Sequence, residues 1–297
     1  MGTWTVSGKY WGSTDDAVSR DAIRAALAAG INWFDTAPLY GDGHADRLLR
    51  DALGPDLNRV ILASKVGVRT GSDGHAVSDL SPAHVRADCE RSLRRLREPI
   101  DLLQVHWPCQ QQTPLDDTID ALEDLQSRGW IRHWGLCNYG PAAVRQAKAR
   151  SMATLQTPYS LVRREFETEL REVASEVGVL AYETLCRGLL SGKFPTLPSF
   201  PDSDQRSRDD RFRGPHYRHV AALTRDLGAV AGKLGVSTAA VAVGWVVSRP
   251  GVTAAIVGAR TPEQIEQVAR ASALVGRPRI ASVIERIAAV HGPPPRP

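Results

Sequence analysis

Short apolar runs of four to six residues recur along the chain, each followed by a stretch whose apolar positions repeat with helical period. Such alternation predicts strands buried on both faces and joined by helices, hence a parallel sheet. The runs are 31–34, 60–64, 101–105, 131–136, 153–156, 179–182 and 252–257, and a stub at 1–6 makes an eighth. Helix starts are signalled at Thr14, with Asp15 and Asp16 in the first turn, and at Ser81-Pro82, Thr113-Pro114 and Thr261-Pro262-Glu263. After Ser81 the inward stripe is Val85, Cys89, Leu93 and Leu96, and after Thr113 it is Leu115, Ile119, Leu122 and Leu125. Further helices are expected at 46–53, 141–148, 165–177, 217–234 and 237–248.

Eight strands each followed by a helix, within 297 residues, predict one closed (β/α)8 TIM barrel over 1–292, with a disordered Pro-rich tail at 293–297. A doubly wound open sheet is the rival, but a dinucleotide-binding one carries a Gly-rich turn after its first strand, and no GxGxxG occurs here. The polar, Pro-rich stretch 193–214 is expected to be a long functional loop.

Hydrophobic residues form 42% of the chain, enough for a full core, and the net charge is only +4. That excess is spread out except around 206–218, which argues against a nucleic-acid partner and favours small anionic ligands. No apolar run approaches the roughly 20 residues that span a bilayer, and no signal-peptide pattern opens the chain. A cytoplasmic monomer or weak homo-oligomer is therefore expected. Cys89, Cys109, Cys137 and Cys186 lack metal-ligand spacing, so neither a metal centre nor disulfides are expected.

Candidate chemistry lies at the strand ends. Asp35 ends the run 31–34, and Tyr40 follows in a Pro/Gly-bounded turn; Lys65 follows the run 60–64, His106 follows 101–105, and Asn138 comes soon after 131–136. A phenol has a reference pKa of about 10 and is a weak acid at neutral pH, but a nearby ammonium stabilises the phenolate. Lys65 is expected to lower the Tyr40 pKa, with Asp35 holding Lys65 charged and His106 bonding a substrate carbonyl. Each residue alone is more simply a structural group. Together, after three different strands, they predict an acid–base site.

Asp35-Thr-Ala-x-x-Tyr40-Gly, Ser64-Lys65, Asp101-Leu-x-x-x-His106, Gly135-Leu-Cys-Asn138, Arg187-Gly-Leu-Leu-Ser-Gly-Lys193 and Gly258-Ala-Arg-Thr-Pro-Glu-Gln264 follow one another in the order found in the aldo-keto reductases, and the chain resembles that family over nearly its whole length. The resemblance implies an NADPH-dependent reductase of aldehydes or ketones, NADH being possible, in which Tyr40 is the general acid and Asp35, Lys65 and His106 complete a tetrad. It implies that Asn138 and Gln156 bind the nicotinamide carboxamide, that Tyr182 stacks on the ring, and that Arg187 and Leu189 also contact the cofactor. Gly258, Arg260 and Gln264, at the start of a capped helix, would take the phosphates, with Arg260 pairing a 2′-phosphate.

Some positions depart from the family pattern. Cys137 stands where Ser is usual, Glu183-Thr184 replaces Ser-Pro, Cys186 replaces a small residue, and Gln267 and Val268 replace Glu and Asn. The family's N-terminal hairpin is expected to be absent and the first strand short. Polar loops at 108–113 and 193–214 favour sugar-like carbonyl substrates. Two other functions fit less well: a nicotinamide-binding regulatory subunit with little turnover, and a Schiff-base lyase using Lys65 as nucleophile.

Overall fold

The computed structural model describes residues 1–71, 75–97, 99–110 and 112–295. Among the described residues are nine strands: β1 (Trp33–Asp35), β2 (Ile61–Val66), β3 (Val68–Thr70), β4 (Ala76–Ser78), β5 (Ile100–Val105), β6 (Ile131–Cys137), β7 (Thr154–Pro158), β8 (Gly178–Tyr182) and β9 (Ala254–Ala255). Seven of them form a parallel sheet in the order β1-β2-β5-β6-β7-β8-β9, with helices between most neighbours. Such sequential parallel order requires crossovers, which the predicted helices supply.

The stub at the start of the chain closes this sheet into the (β/α)8 barrel. Gly2 bridges in parallel to Asp35 on one side and to Gly258 on the other. Its N–H donates to the Val257 carbonyl, and Thr3 N–H donates to the Asp35 carbonyl, both at 2.9 Å. The first stave is therefore short, as expected, yet it pairs on both edges.

Inside the barrel, period-2 alternation turns Ala63, Leu102 and Leu180 inward, where they pack with Trp33, Ala254 and Ile256. Two residues further along β2 and β5 the same alternation brings Lys65 opposite Gln104. An apolar floor thus carries a buried polar layer. Outside the sheet, helix Pro82–Arg95 buries Val85 and Cys89, and helix Leu115–Ser127 buries Ile119, Leu122 and Leu125. Each such aliphatic side chain contributes about 1.5–3 kcal/mol when fully buried.

Several elements differ from expectation. The charged helix expected at 165–177 is helical only over Glu165–Glu169. Its carboxylate Glu167 turns inward to the Tyr159 hydroxyl and to Arg164, which breaks the solvated face that a longer helix needs. The last strand shrinks to β9, although Ile256 N–H still donates to the Ala181 carbonyl at 2.7 Å. An antiparallel hairpin, β3 paired with β4, and a C-terminal helix, Pro278–His291, were not expected. Ser81 precedes its helix without capping it, because its hydroxyl donates to Asp79 instead. Residues 296 and 297 of the Pro-rich tail lie outside the described residues, and the Pro295 carbonyl lies 2.8 Å from His216 Nδ1.

Among the described residues no single helix is long and apolar enough to cross a membrane. The four cysteines form no disulfide.

Candidate active site

The carboxyl ends of β1, β2 and β5 bring Asp35, Lys65 and His106 together beneath the turn that carries Tyr40. Lys65 Nζ donates to Asp35 Oδ1 at 2.5 Å, to the Thr36 carbonyl at 3.1 Å and to Tyr40 Oη at 3.2 Å. The ammonium thus uses all three N–H groups and is only 1% exposed. Gln156 Nε2 holds the other oxygen of Asp35 at 3.0 Å. The His106 ring meets Tyr40 edge-on at 5.7 Å, and Trp4 stacks over Tyr40 at 6.1 Å. His106 is fixed through its backbone, its N–H donating to the Val66 carbonyl and its carbonyl accepting from Asn138 Nδ2, each at 3.0 Å.

Burial sets the protonation states. It pushes the Tyr40 phenol up to about 12, against the pull of the Lys65 ammonium. The expected lowering is therefore reversed in this state, because loss of water outweighs the neighbouring charge. The phenol keeps its proton at neutral pH. Burial also penalises the Lys65 ammonium, but Asp35 and Tyr40 outweigh it and hold its pKa above the ordinary value. His106 goes the other way: burial first, then Lys65, keep its ring neutral. Cys137, also buried beside this group, has its thiol pushed up by burial.

A cleft of about 270 Å³ runs from this group across the barrel mouth. Asp35, Tyr40, Gln156, Tyr182, Arg187, Gly258, Arg260 and Gln264, all singled out from the sequence, line it. Lys65, His106, Asn138 and Leu189 do not: Lys65 and His106 are buried beside Tyr40, the Asn138 amide oxygen accepts from the Tyr182 hydroxyl at 2.7 Å, and Leu189 is buried behind the wall. Glu183, Lys193, Arg206 and Gln267 also line the cleft, as do Trp4 and Trp11. The two tryptophans were not assigned to the site from the sequence; two aromatic residues in a short Gly-containing segment were the available signal.

The far end of the cleft is cationic. Lys193, Arg206 and Arg260 gather there, and burial together with the two arginines lowers the Lys193 pKa to about 8. Arg260 Nη1 donates to the Trp11 carbonyl at 3.1 Å, and its other terminal nitrogen to that of Ser13, so its hydrogen bonds go to neutral acceptors, with Asp204 near enough to feel its charge. Thr261 caps helix Pro262–Ala269, whose first turn faces the same end.

Two segments clasp one another over this end. Trp11 bridges to Asp204, and Gln205 N–H donates to the Tyr10 carbonyl at 2.9 Å. Arg206 is buried, ion-paired to Asp204, with its guanidinium 5.1 Å from the Trp11 ring centroid and 4.2 Å from that of Phe200. Arg211 of the same loop pairs with Glu183 at 3.0 Å, and Arg187 joins Glu183 at 3.1 Å. The polar stretch 193–214 is therefore a docked cover.

A closed barrel thus holds a buried phenol–ammonium–carboxylate set at its strand ends and opens into a cleft with a cationic far end. The aldo/keto reductase family model matches residues 1–287, and the chain belongs to that family. It is 34% identical over 273 residues to the aldo-keto reductase YhdN of Bacillus subtilis (strain 168), covering 90% of this chain and 82% of the relative. The structure resembles that of the glycerol dehydrogenase AKR11B4 from Gluconobacter oxydans, with a TM-score of 0.88, 36% identity, and coverage of 100% of this chain and 93% of the other. It also resembles an aldo/keto reductase from Klebsiella pneumoniae solved with NADP and acetate, with a TM-score of 0.73, 27% identity, and coverage of 100% and 92%.

Proposed function

We propose that the chain reduces a small aldehyde or ketone with NADPH, or runs the reverse oxidation, and that Tyr40 is its general acid. The observation that carries this reading is the Lys65 ammonium held 3.2 Å from the Tyr40 hydroxyl and 2.5 Å from Asp35 in a nearly dry pocket. A substrate carbonyl oxygen accepts a hydrogen bond from Tyr40 and takes its proton as negative charge builds on that oxygen. Lys65 stabilises the phenolate left behind, Asp35 keeps Lys65 charged, and neutral His106 orients the carbonyl by a hydrogen bond. Trp4, stacked over Tyr40, limits water.

The residues lining the cleft fit a phosphorylated dinucleotide. Tyr182 offers an aromatic face near Tyr40, and Gln156 and Asn138 offer amides, each now bonded within the protein. Arg187 borders the middle of the cleft with Leu189 packed behind the wall, and Gly258, Gln264 and Arg260 stand at the cationic end. The nicotinamide, when bound, supplies the hydride in reduction and accepts it in oxidation. Lys193, Arg206 and Arg260 together favour NADPH over NADH through the added phosphate.

The likeness to a glycerol dehydrogenase favours small hydroxylated carbonyls and their polyols. A Schiff-base role for Lys65 fits poorly, because it needs a neutral amine and Asp35 and Tyr40 favour the charged one. A cytoplasmic monomer or weak homo-oligomer belongs to the same proposal. The test is consumption of NADPH and NADH across aldehydes, ketones and keto-sugars, starting with glyceraldehyde. A wild-type protein that binds NADPH but turns over no carbonyl or polyol sinks the reading in favour of a regulatory subunit.

A further inference from the structure

Asp46 is a second carboxylate under the Tyr40 turn, and the chemistry above does not use it. It lies in the first turn of helix His44–Leu53, which directly follows that turn, and it is wholly buried. One oxygen accepts from Thr36 Oγ1 at 2.7 Å. The other lies 3.5 Å from Arg95 Nη1, and neither of these two atoms has a hydrogen-bond partner. A buried carboxylate with incomplete partners is costly. Burial accordingly raises the Asp46 pKa, opposed by Thr36 and Arg95.

The surroundings are built to admit this group. Arg95 reaches it across Gly43, where a Cβ would stand 2.5 Å from the guanidinium carbon. Gly41, Asp42 and Gly43 all have positive φ, so the turn after Tyr40 is wound tightly enough to return the chain to Asp46. Thr36 is held from the other side, its N–H donating to the Ala63 carbonyl at 2.9 Å. Its own carbonyl is one of the three acceptors of Lys65. Asp46 therefore ties the residue that anchors Lys65 to the helix that ends the Tyr40 turn.

We infer that Asp46, acting through Thr36 and braced by Arg95, is a positioning residue that sets the separation of the Tyr40 hydroxyl from the Lys65 ammonium. This rests on the proposed acid–base role of Tyr40. Asp46 touches neither substrate nor the cleft, so its loss should lower kcat and leave binding nearly unchanged. A misplacement of about 1 Å at a reacting group costs on the order of a hundredfold in rate.

The test uses the full chain, NADPH, and the panel carbonyl reduced fastest by wild type. Thr36→Val and Asp46→Asn should each lower kcat about 10–100-fold, with KM and the NADPH Kd changed less than about twofold. Thr36→Ser, which keeps the hydroxyl, should recover most of the lost rate. Should Asp46→Asn fail to fold, Arg95→Met removes the brace from a less buried position and should show the same split between kcat and KM. Thr36→Val that melts earlier yet keeps the wild-type kcat, while Tyr40→Phe is inactive, overturns this inference alone. Tyr40→Phe at wild-type rate, or a wild type inert on the whole panel, overturns the acid–base reading and this inference with it.

Discussion

Tyr40 and Lys65 meet at 3.2 Å with both protons held in place: burial keeps the phenol protonated, and Asp35 keeps the amine charged. Removing only the phenol oxygen by Tyr40→Phe keeps the ring under Trp4. Turnover should fall about 10²–10⁴-fold, the usual cost of a lost general acid, while NADPH binding measured by fluorescence titration persists. Wild-type rates in this variant would remove Tyr40 from the chemistry.

The direction of the Tyr40 shift sets the pH dependence. A phenol pushed up to about 12 stays protonated through neutral pH, so reduction should be flat from pH 6 to about 9. Oxidation needs the phenolate and should climb with pH across the same range. Lys65→Met removes the pull that lowers the phenol pKa, so its oxidation limb should move to still higher pH and its rate should fall. An oxidation rate that stays level or declines between pH 7 and 10 would rule out the phenol as the titrating base.

Arg260 carries its charge against two backbone carbonyls at the cationic end of the cleft. Arg260→Ala should weaken NADPH about tenfold or more and NADH far less, the loss of one charge-assisted contact to phosphate being about 1.5–3 kcal/mol. Equal losses for both cofactors in isothermal titration would assign Arg260 to structure instead.

Cys137 is wholly buried beside Lys65, and its thiol is held in the neutral form by burial. Cys137→Ser should keep turnover within about tenfold, roughly 1.4 kcal/mol of barrier. A larger drop in kcat would give the thiol a part in the chemistry.

Glu183 accepts from Arg163, Arg187 and Arg211 at 3.0–3.2 Å. Burial opposes its charge, but Arg211 and Arg187 outweigh this and lower its pKa. A depressed folded-state pKa means that the stabilisation is full above the unfolded value of about 4.3 and is lost as pH falls through the folded one. Glu183→Gln should therefore destabilise the protein by about 1–3 kcal/mol at pH 7, with the gap to wild type closing below about pH 4. A gap in melting temperature that stays constant down to pH 3.5 would contradict it.

The strand order and the gathering of Asp35, Lys65 and His106 were legible because both rest on local pattern: apolar runs of strand length, each with a polar residue at or near its end, place these three at one barrel mouth whatever the loops do. Depth was not legible. The sequence leads to the expectation that Lys65 lowers the Tyr40 pKa, but only the fold shows how deeply Tyr40 is buried, and that burial reverses the sign. Docking was equally hidden: the stretch 193–214 reads as a long polar loop, with no local pattern to show that Trp11 and Phe200, far from each other in sequence, close on Arg206. Helix Pro278–His291 had the right period at Ile280, Ile284 and Ile287, and was overlooked because it follows the last expected unit.

The seam where Gly2 meets Gly258 bears on how this protein can change over generations. A Cβ on Gly2 would stand 2.8 Å from Ile256 Cγ2, and one on Gly258 would stand 2.7 Å from Thr5 Cγ2. Both glycines also line the cleft. Structural closure and ligand seating are thus written in the same two residues, so neither trait can drift without the other. Mutational freedom to retune ligand preference is left to positions such as Gln267 past the seam, because Arg260 also holds the Trp11 and Ser13 carbonyls and Gln264 holds the Arg260 N–H.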